Sequence, residues 1–119
     1  MYVKGDEKVL NQIALVGRLV RDIEMKVGES GKKFANITLA VPRSFKNMDG
    51  EYDTDFIDCV LWDVVAKNTM DYCHKGDIIA IRGRLQSSTY EVDKKKIYKL
   101  EVIAEKVTFL SSKKEEADK

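Results

Sequence analysis

One histidine, one proline, one tryptophan and two cysteines are all that the 119 residues contain of these types. Each scarcity closes off chemistry. The single histidine, His74, sits at what reads as a helix end, and neither a Gly-x-Ser-x-Gly elbow, a Walker loop nor a zinc-ligand spacing occurs. Carboxylates are numerous but scattered, as solvated charges are, so no catalytic residue, cofactor or metal is expected. Cys73-His74 invites a reading as a metal or nucleophile pair, yet adjacent side chains seldom face the same way. Cys59 and Cys73 read instead as small buried hydrophobes, because a chain of this size can rely on its core without a disulfide framework.

Charge of one sign is also lacking. With 21 basic and 20 acidic residues the net charge is +1, so no broad positive field exists and any electrostatic site must come from local segregation. No run is apolar and long enough for a membrane span, and the opening Met-Tyr-Val-Lys-Gly-Asp-Glu-Lys has no signal-peptide core. A cytoplasmic protein without a membrane partner is the expectation. The length suits one domain, with residues 1–8 a flexible N-terminus, 9–110 the folded unit and 111–119 a disordered charged tail.

What is present is mostly period two. From Val9, residues Ile13, Leu15, Gly17 and Leu19 alternate with Gln12, Ala14, Val16 and Arg18, and Gly17 suggests a bend or a close backbone approach. A turn at Gly28-Glu-Ser-Gly31 precedes a second strand from about Lys33 to Val41, which Pro42 should end or place at an edge. Ser44 to Asp53 then reads as a loop, and Thr54 to Trp62 as the third strand. The period changes over Val64 to His74, where Ala66, Met70 and Cys73 form an apolar stripe with Asp63 as N-cap and Gly76 as stop. Asp77 to Tyr90 is a fourth strand, Glu91 to Lys96 a charged hairpin tip, and Ile97 to Leu110 a fifth strand. This is an all-β pattern: a five-stranded Greek-key barrel, the OB-fold, with one short α-helix between strands three and four. An unrelated β-barrel or roll stays open.

The third strand carries the least ordinary face. It sets Phe56, Asp58, Val60 and Trp62 on one side, and Ile57, Cys59 and Leu61 on the other. The second set is a core face; the first spaces two large aromatics along a ribbon that also bears a charge. Phe45 in the Ser44–Asp53 loop before it and Tyr90 at the end of the fourth strand add two further aromatics outside the core pattern. Arg18, Lys33, Arg43, Lys46, Arg82 and Arg84 lie around them. Aromatics stack on bases of any sequence for about 1–3 kcal/mol each while cations follow phosphates, so the combination fits single-stranded nucleic acid. Taken singly, Phe56, Trp62 or Tyr90 reads equally as a core or subunit-interface residue, and Arg82 and Arg84 as a solvated strand face.

Several segments in register carry a resemblance. Asn11-Gln-Ile-Ala-Leu-Val-Gly-Arg-Leu19, Ala35-Asn-Ile-Thr-Leu-Ala40, Asp55-Phe-Ile-Asp-Cys-Val-Leu-Trp62, Tyr72-Cys-His-Lys-Gly76, Gly83-Arg-Leu-Gln-Ser-Ser-Thr-Tyr90 and Val102-Ile-Ala-Glu-Lys-Val-Thr-Phe-Leu110 all follow the pattern of bacterial-type single-stranded DNA-binding proteins. The similarity covers about residues 9–110. It implies base stacking by Phe45, Phe56, Trp62 and Tyr90, and phosphate contacts from Arg18, Lys33, Arg43, Lys75, Arg82 and Arg84. It further implies a homotetramer around which single-stranded DNA wraps during replication, recombination, repair or transfer of a mobile element.

Two departures qualify it. Family members commonly continue through a Gly-, Pro- and Gln-rich linker to an acidic tip that recruits replication and repair proteins, whereas this chain stops at Ala117-Asp-Lys119. The expectation is therefore either a truncated chain or a short form without partner recruitment through a tip. Asp58 and Asp63 flank Trp62, and Ser87-Ser88 sits where basic residues are common, so stacking should contribute more than charge. The alternatives are a primosomal-type OB-fold protein acting mainly through protein partners, and a scaffold OB domain with no nucleic-acid role.

Overall fold

Among the described residues the chain forms six strands and one helix: β1 (Ile13–Leu19), β2 (Met25–Val27), β3 (Lys33–Lys46), β4 (Tyr52–Trp62), α1 (Asp63–Tyr72), β5 (Ile78–Val92) and β6 (Lys95–Ser111). The computed structural model describes residues 10–112; residues 1–8 and the tail beyond Ser112, for which the sequence predicts flexibility, lie outside the described residues. Antiparallel pairings join β1 to β5, β5 to β6 and β3 to β4. Two short ladders then close the ring. β1 meets β3 at Arg18↔Ala40 and Leu19↔Leu39, and β4 meets β6 in parallel at Cys59↔Val102 and Val60↔Ile103. The result is the five-strand closed barrel of an OB-fold, with β2 added outside on β3.

One face of each barrel strand fills the interior. Leu19, Ile37, Leu39, Leu61, Ile79, Ile81 and Cys59 are fully buried. Two glycines let backbones approach where the ring closes. A Cβ on Gly17 would stand 2.9 Å from the Ala40 carbonyl oxygen, and one on Gly83 would collide with the Ile103 carbonyl. The close approach predicted at Gly17 is thus the β1–β3 crossing. The helix packs against β2, β3, β4 and β6, with Ala66 and Thr69 buried and the Thr69 hydroxyl donating to the Val65 carbonyl at 2.7 Å. The segment after α1 is tied to β1: the Gly76 N–H donates to the Leu19 carbonyl, and the Leu19 N–H to the Asp77 carbonyl. Cys59 and Cys73 are free and buried, and burial, with Asp58 adding to it, pushes the Cys59 thiol up to about 12.

Several expected boundaries shift for identifiable reasons. β3 does not stop at Pro42 but continues to Lys46, so Phe45 is on a strand and not in a loop. The β1 pairing ends at Ala40, which leaves β3 a partner on one side only, where a residue lacking an N–H is tolerated. A register shift between Pro42 and Lys46 absorbs the change. The charged tip shrinks to Asp93-Lys94, both at positive φ (52° and 65°), the geometry of a two-residue hairpin turn that matches strand twist. Asp63 does not cap α1. It adopts φ 45°, Trp62 holds the cap position, and no side chain caps the helix. β2 is only three residues long and mixes Met, Lys and Val, too short for alternation to register. β1 begins at Ile13, and the Asn11 side chain continues its role, donating to the Leu85 carbonyl and accepting from the Leu85 N–H.

Candidate nucleic-acid interface

The outward side of β3 and β4 is built by their register. Phe34 pairs with Trp62, Asn36 with Val60, Thr38 with Asp58, and Ala40 with Phe56. Side chains of directly opposed residues share a face, so these four rows form one ladder with an aromatic at each end. Phe34 and Trp62 combine into a tilted pair, ring centroids 5.2 Å apart. Phe56 is 68% exposed and Trp62 40%, while Val60 between them is 6% exposed. The rings stand out of the surface, with buried Val60 and exposed Asp58 between them. In the middle, the Thr38 hydroxyl donates to Asp58 Oδ1 at 2.9 Å.

Register also places the cations. The row through Phe56 continues across Ala40 to Arg18 on β1, and the row through Val60 continues across Ile103 to Arg84 on β5. The ladder is therefore flanked by an arginine on each side. Neither is idle: Arg18 Nη1 donates to the Gly76 carbonyl at 2.6 Å, and Arg84 donates to Gln86 Oε1 at 2.8 Å and lies 3.9 Å from Glu105. Tyr90, half-exposed and paired with Ile97, stands on the same side of β5 as Arg84, where that strand has left the barrel.

The other candidates disperse. Arg82 is paired with Ala14 and Lys106, on the β1–β5–β6 side. Lys33 lines a cleft with Met25, Val64 and Met70 between β2 and α1. Lys75 is exposed in the segment after α1, where its N–H donates to Asp22. Phe45 and Lys46 are on the outer stretch of β3, with the Lys46 ammonium 5.8 Å from the Tyr52 ring centre. Arg43 forks onto Asp55, with Nη2 at 3.0 Å from Oδ1 and Nε at 3.2 Å from Oδ2, and lies 3.8 Å from Asp53. The pair holds the Asp55 carboxyl below, and the Arg43 guanidinium above, their ordinary ranges, through their hydrogen bonds. A cation so neutralised is a poorer phosphate ligand than its sequence position suggests. Phe34 was missed as a site residue; its place on the outward face was readable, but its junction with Trp62 needs the β3–β4 register.

Among the described residues no group of His, Cys, Asp and Glu is arranged to hold a metal, and no helix is long and apolar enough to cross a membrane. Comparison with known proteins addresses the chain as a whole. Single-stranded DNA-binding protein B of Bacillus subtilis (strain 168) is 41% identical over 109 residues, covering 91% of this chain and 96% of the relative. Single-stranded DNA-binding protein 3 of Listeria innocua is 43% identical over 88% of this chain, and the Single-stranded DNA-binding protein of Bacillus cereus 44% identical over 86%. The chain spans 66% and 61% of the length of these last two. The profile of the Single-strand binding protein family matches residues 10–110, the same span that contains the closed barrel and its outward aromatic ladder. With the barrel, the ladder and the family profile coinciding over nearly the whole described chain, this protein belongs to the single-strand binding protein family.

Proposed function

We propose that this protein binds single-stranded DNA without sequence specificity and shields exposed strands in the cytoplasm during replication, recombination, repair or transfer of a mobile element. The observation that carries the reading is the β3–β4 ladder, with Phe34–Trp62 at one end, Phe56 at the other and an arginine flanking each side. Bases stack on Trp62 and Phe56, and the strand continues toward Tyr90 on the β5–β6 hairpin and Phe45 on the outer stretch of β3. Arg18 and Arg84 meet phosphates at the ladder; Lys33, Arg43, Lys46, Lys75 and Arg82 contribute less, by position or by prior pairing. The working unit is a homotetramer, which solution mass measurement distinguishes from a dimer.

Trp62 is the only tryptophan, so its emission reports on the ladder alone. Adding poly-dT quenches it, and Trp62→Ala weakens binding by about 1–3 kcal/mol. Binding detected by another method with unmoved emission would remove Trp62 from the interface. Because Arg43 and Arg84 already have acidic partners, affinity falls gently with salt, each phosphate neutralised contributing a slope of about −0.7. A steep dependence on oligo-dT would contradict the dominance of stacking.

A further inference from the structure

The middle of the ladder holds a group that neither stacks nor attracts phosphate. Asp58 is exposed, sits about 7 Å along the strand from Phe56, and forms no ion pair among the described residues. It is nevertheless oriented. Its cross-strand neighbour Thr38 is 9% exposed and spends its hydroxyl proton on Oδ1, which leaves Oδ2 and the remaining lone pairs to whatever lies in the ladder. A carboxylate accepts hydrogen bonds and donates none. A base lying on Phe56, or between Phe56 and Trp62, brings its edge to this acceptor.

We propose that Asp58 adds a bias to otherwise sequence-tolerant stacking, raising the affinity for bases that present an exocyclic amine relative to thymine above what the same groove shows without the carboxylate. The proposal rests on the single-strand reading of the ladder. Cytosine N4 offers N–H where thymine offers the O4 carbonyl, and a carboxylate accepts from the first and is repelled by the second. Adenine N6 and the paired N1 and N2 donors of guanine fall in the favoured class. Repulsion between Asp58 and the phosphates is the same for every base, so it cancels from a ratio of affinities.

The test uses the full chain and oligo-dC, oligo-dU and oligo-dT of equal length, titrated at mildly alkaline pH and several salt concentrations. Oligo-dU controls for the thymine methyl. In Asp58→Asn, an isosteric side chain that both donates and accepts, the dC-to-dU affinity ratio falls by about fivefold, the worth of one hydrogen bond, although all three affinities rise with loss of the negative charge. Thr38→Val keeps the charge but frees its orientation, and lowers the ratio part-way. The ratio changes little with salt, since the phosphates are identical. An unchanged ratio in Asp58→Asn, with the wild type binding all three, overturns the role of Asp58 and leaves the binding function standing. If the wild type binds none of them, the single-strand reading fails and takes this one with it.

Discussion

The closed barrel and the two hairpin arms that leave it treat apolar residues oppositely. Within the ring, Leu39, Leu61, Ile79 and Ile81 are fully buried, whereas along the outer β5–β6 arm Tyr98 is 74% and Leu100 68% exposed. Both regions are hydrogen-bonded ladder, and the β5–β6 pairing runs from the barrel out to Val92↔Lys95. Hydrogen bonding alone therefore does not separate them; enclosure does. Burial anchors the barrel, while the arms keep apolar surface available at the cost of stabilising themselves by little more than their own pairing.

The largest expected effect strikes the ring itself. Gly83→Ala drives a Cβ into the Ile103 carbonyl, where no flexible side chain can give way. It should cost about 3 kcal/mol or more, seen as loss of the cooperative urea transition or of soluble protein. The next sets the two regions side by side: Leu61→Ala costs about 2–5 kcal/mol through a cavity, and Leu100→Ala stays within about 0.5 kcal/mol. Equal losses in urea unfolding would mean that the arm is enclosed as the barrel is. On the β3–β4 arm, Asp55→Asn releases Arg43 without a measurable change in melting, tightens binding to oligo-dT at low salt and steepens the salt slope by about 0.7. An unaltered slope would show that Arg43 meets no phosphate even when freed.

The effect that is smallest near neutral pH, and grows only in alkali, is a pH dependence inside the barrel. Burial raises the Cys59 thiol from its ordinary 9.0 to about 12, so the folded state holds this proton more tightly than the unfolded chain. The associated stability is complete below pH about 9 and is lost as pH rises through the interval up to about 12. Over that interval the unfolding free energy of the wild type falls more steeply with pH than that of Cys59→Ala. Parallel curves would show that the thiol ionises as readily folded as unfolded.

Alternation made the faces of β1, β3 and β4 legible, and with them Phe56, Asp58 and Trp62 as outward residues. It carried no register. That Phe34 joins Trp62, that Arg18 lines up with Phe56, and that Arg43 is claimed by Asp55 are all facts of cross-strand pairing between segments that the sequence keeps apart. Pro42 misled because a strand with one free side tolerates it, and the sequence does not say which sides are free. Asp63 misled because a favourable cap residue says nothing of the φ that a strand-to-helix corner imposes. Charge and strand face alone mark Arg18, Lys33, Arg43, Lys46, Arg82 and Arg84 as candidates, and neither shows that Lys33 lines the cleft between β2 and α1.

The parallel seam between β4 and β6 has a mechanical meaning. It is closed by two residue pairs, Cys59↔Val102 and Val60↔Ile103, so a breathing barrel would unzip there before it came apart along its long antiparallel ladders. Trp62 and Phe56 lie on one lip of that seam and Arg84 on the other. A single strand held by both lips, as the proposed interface requires, would act as a stitch, binding only the closed ring and slowing amide exchange at Val60 and Ile103 in proportion to how tightly it is held.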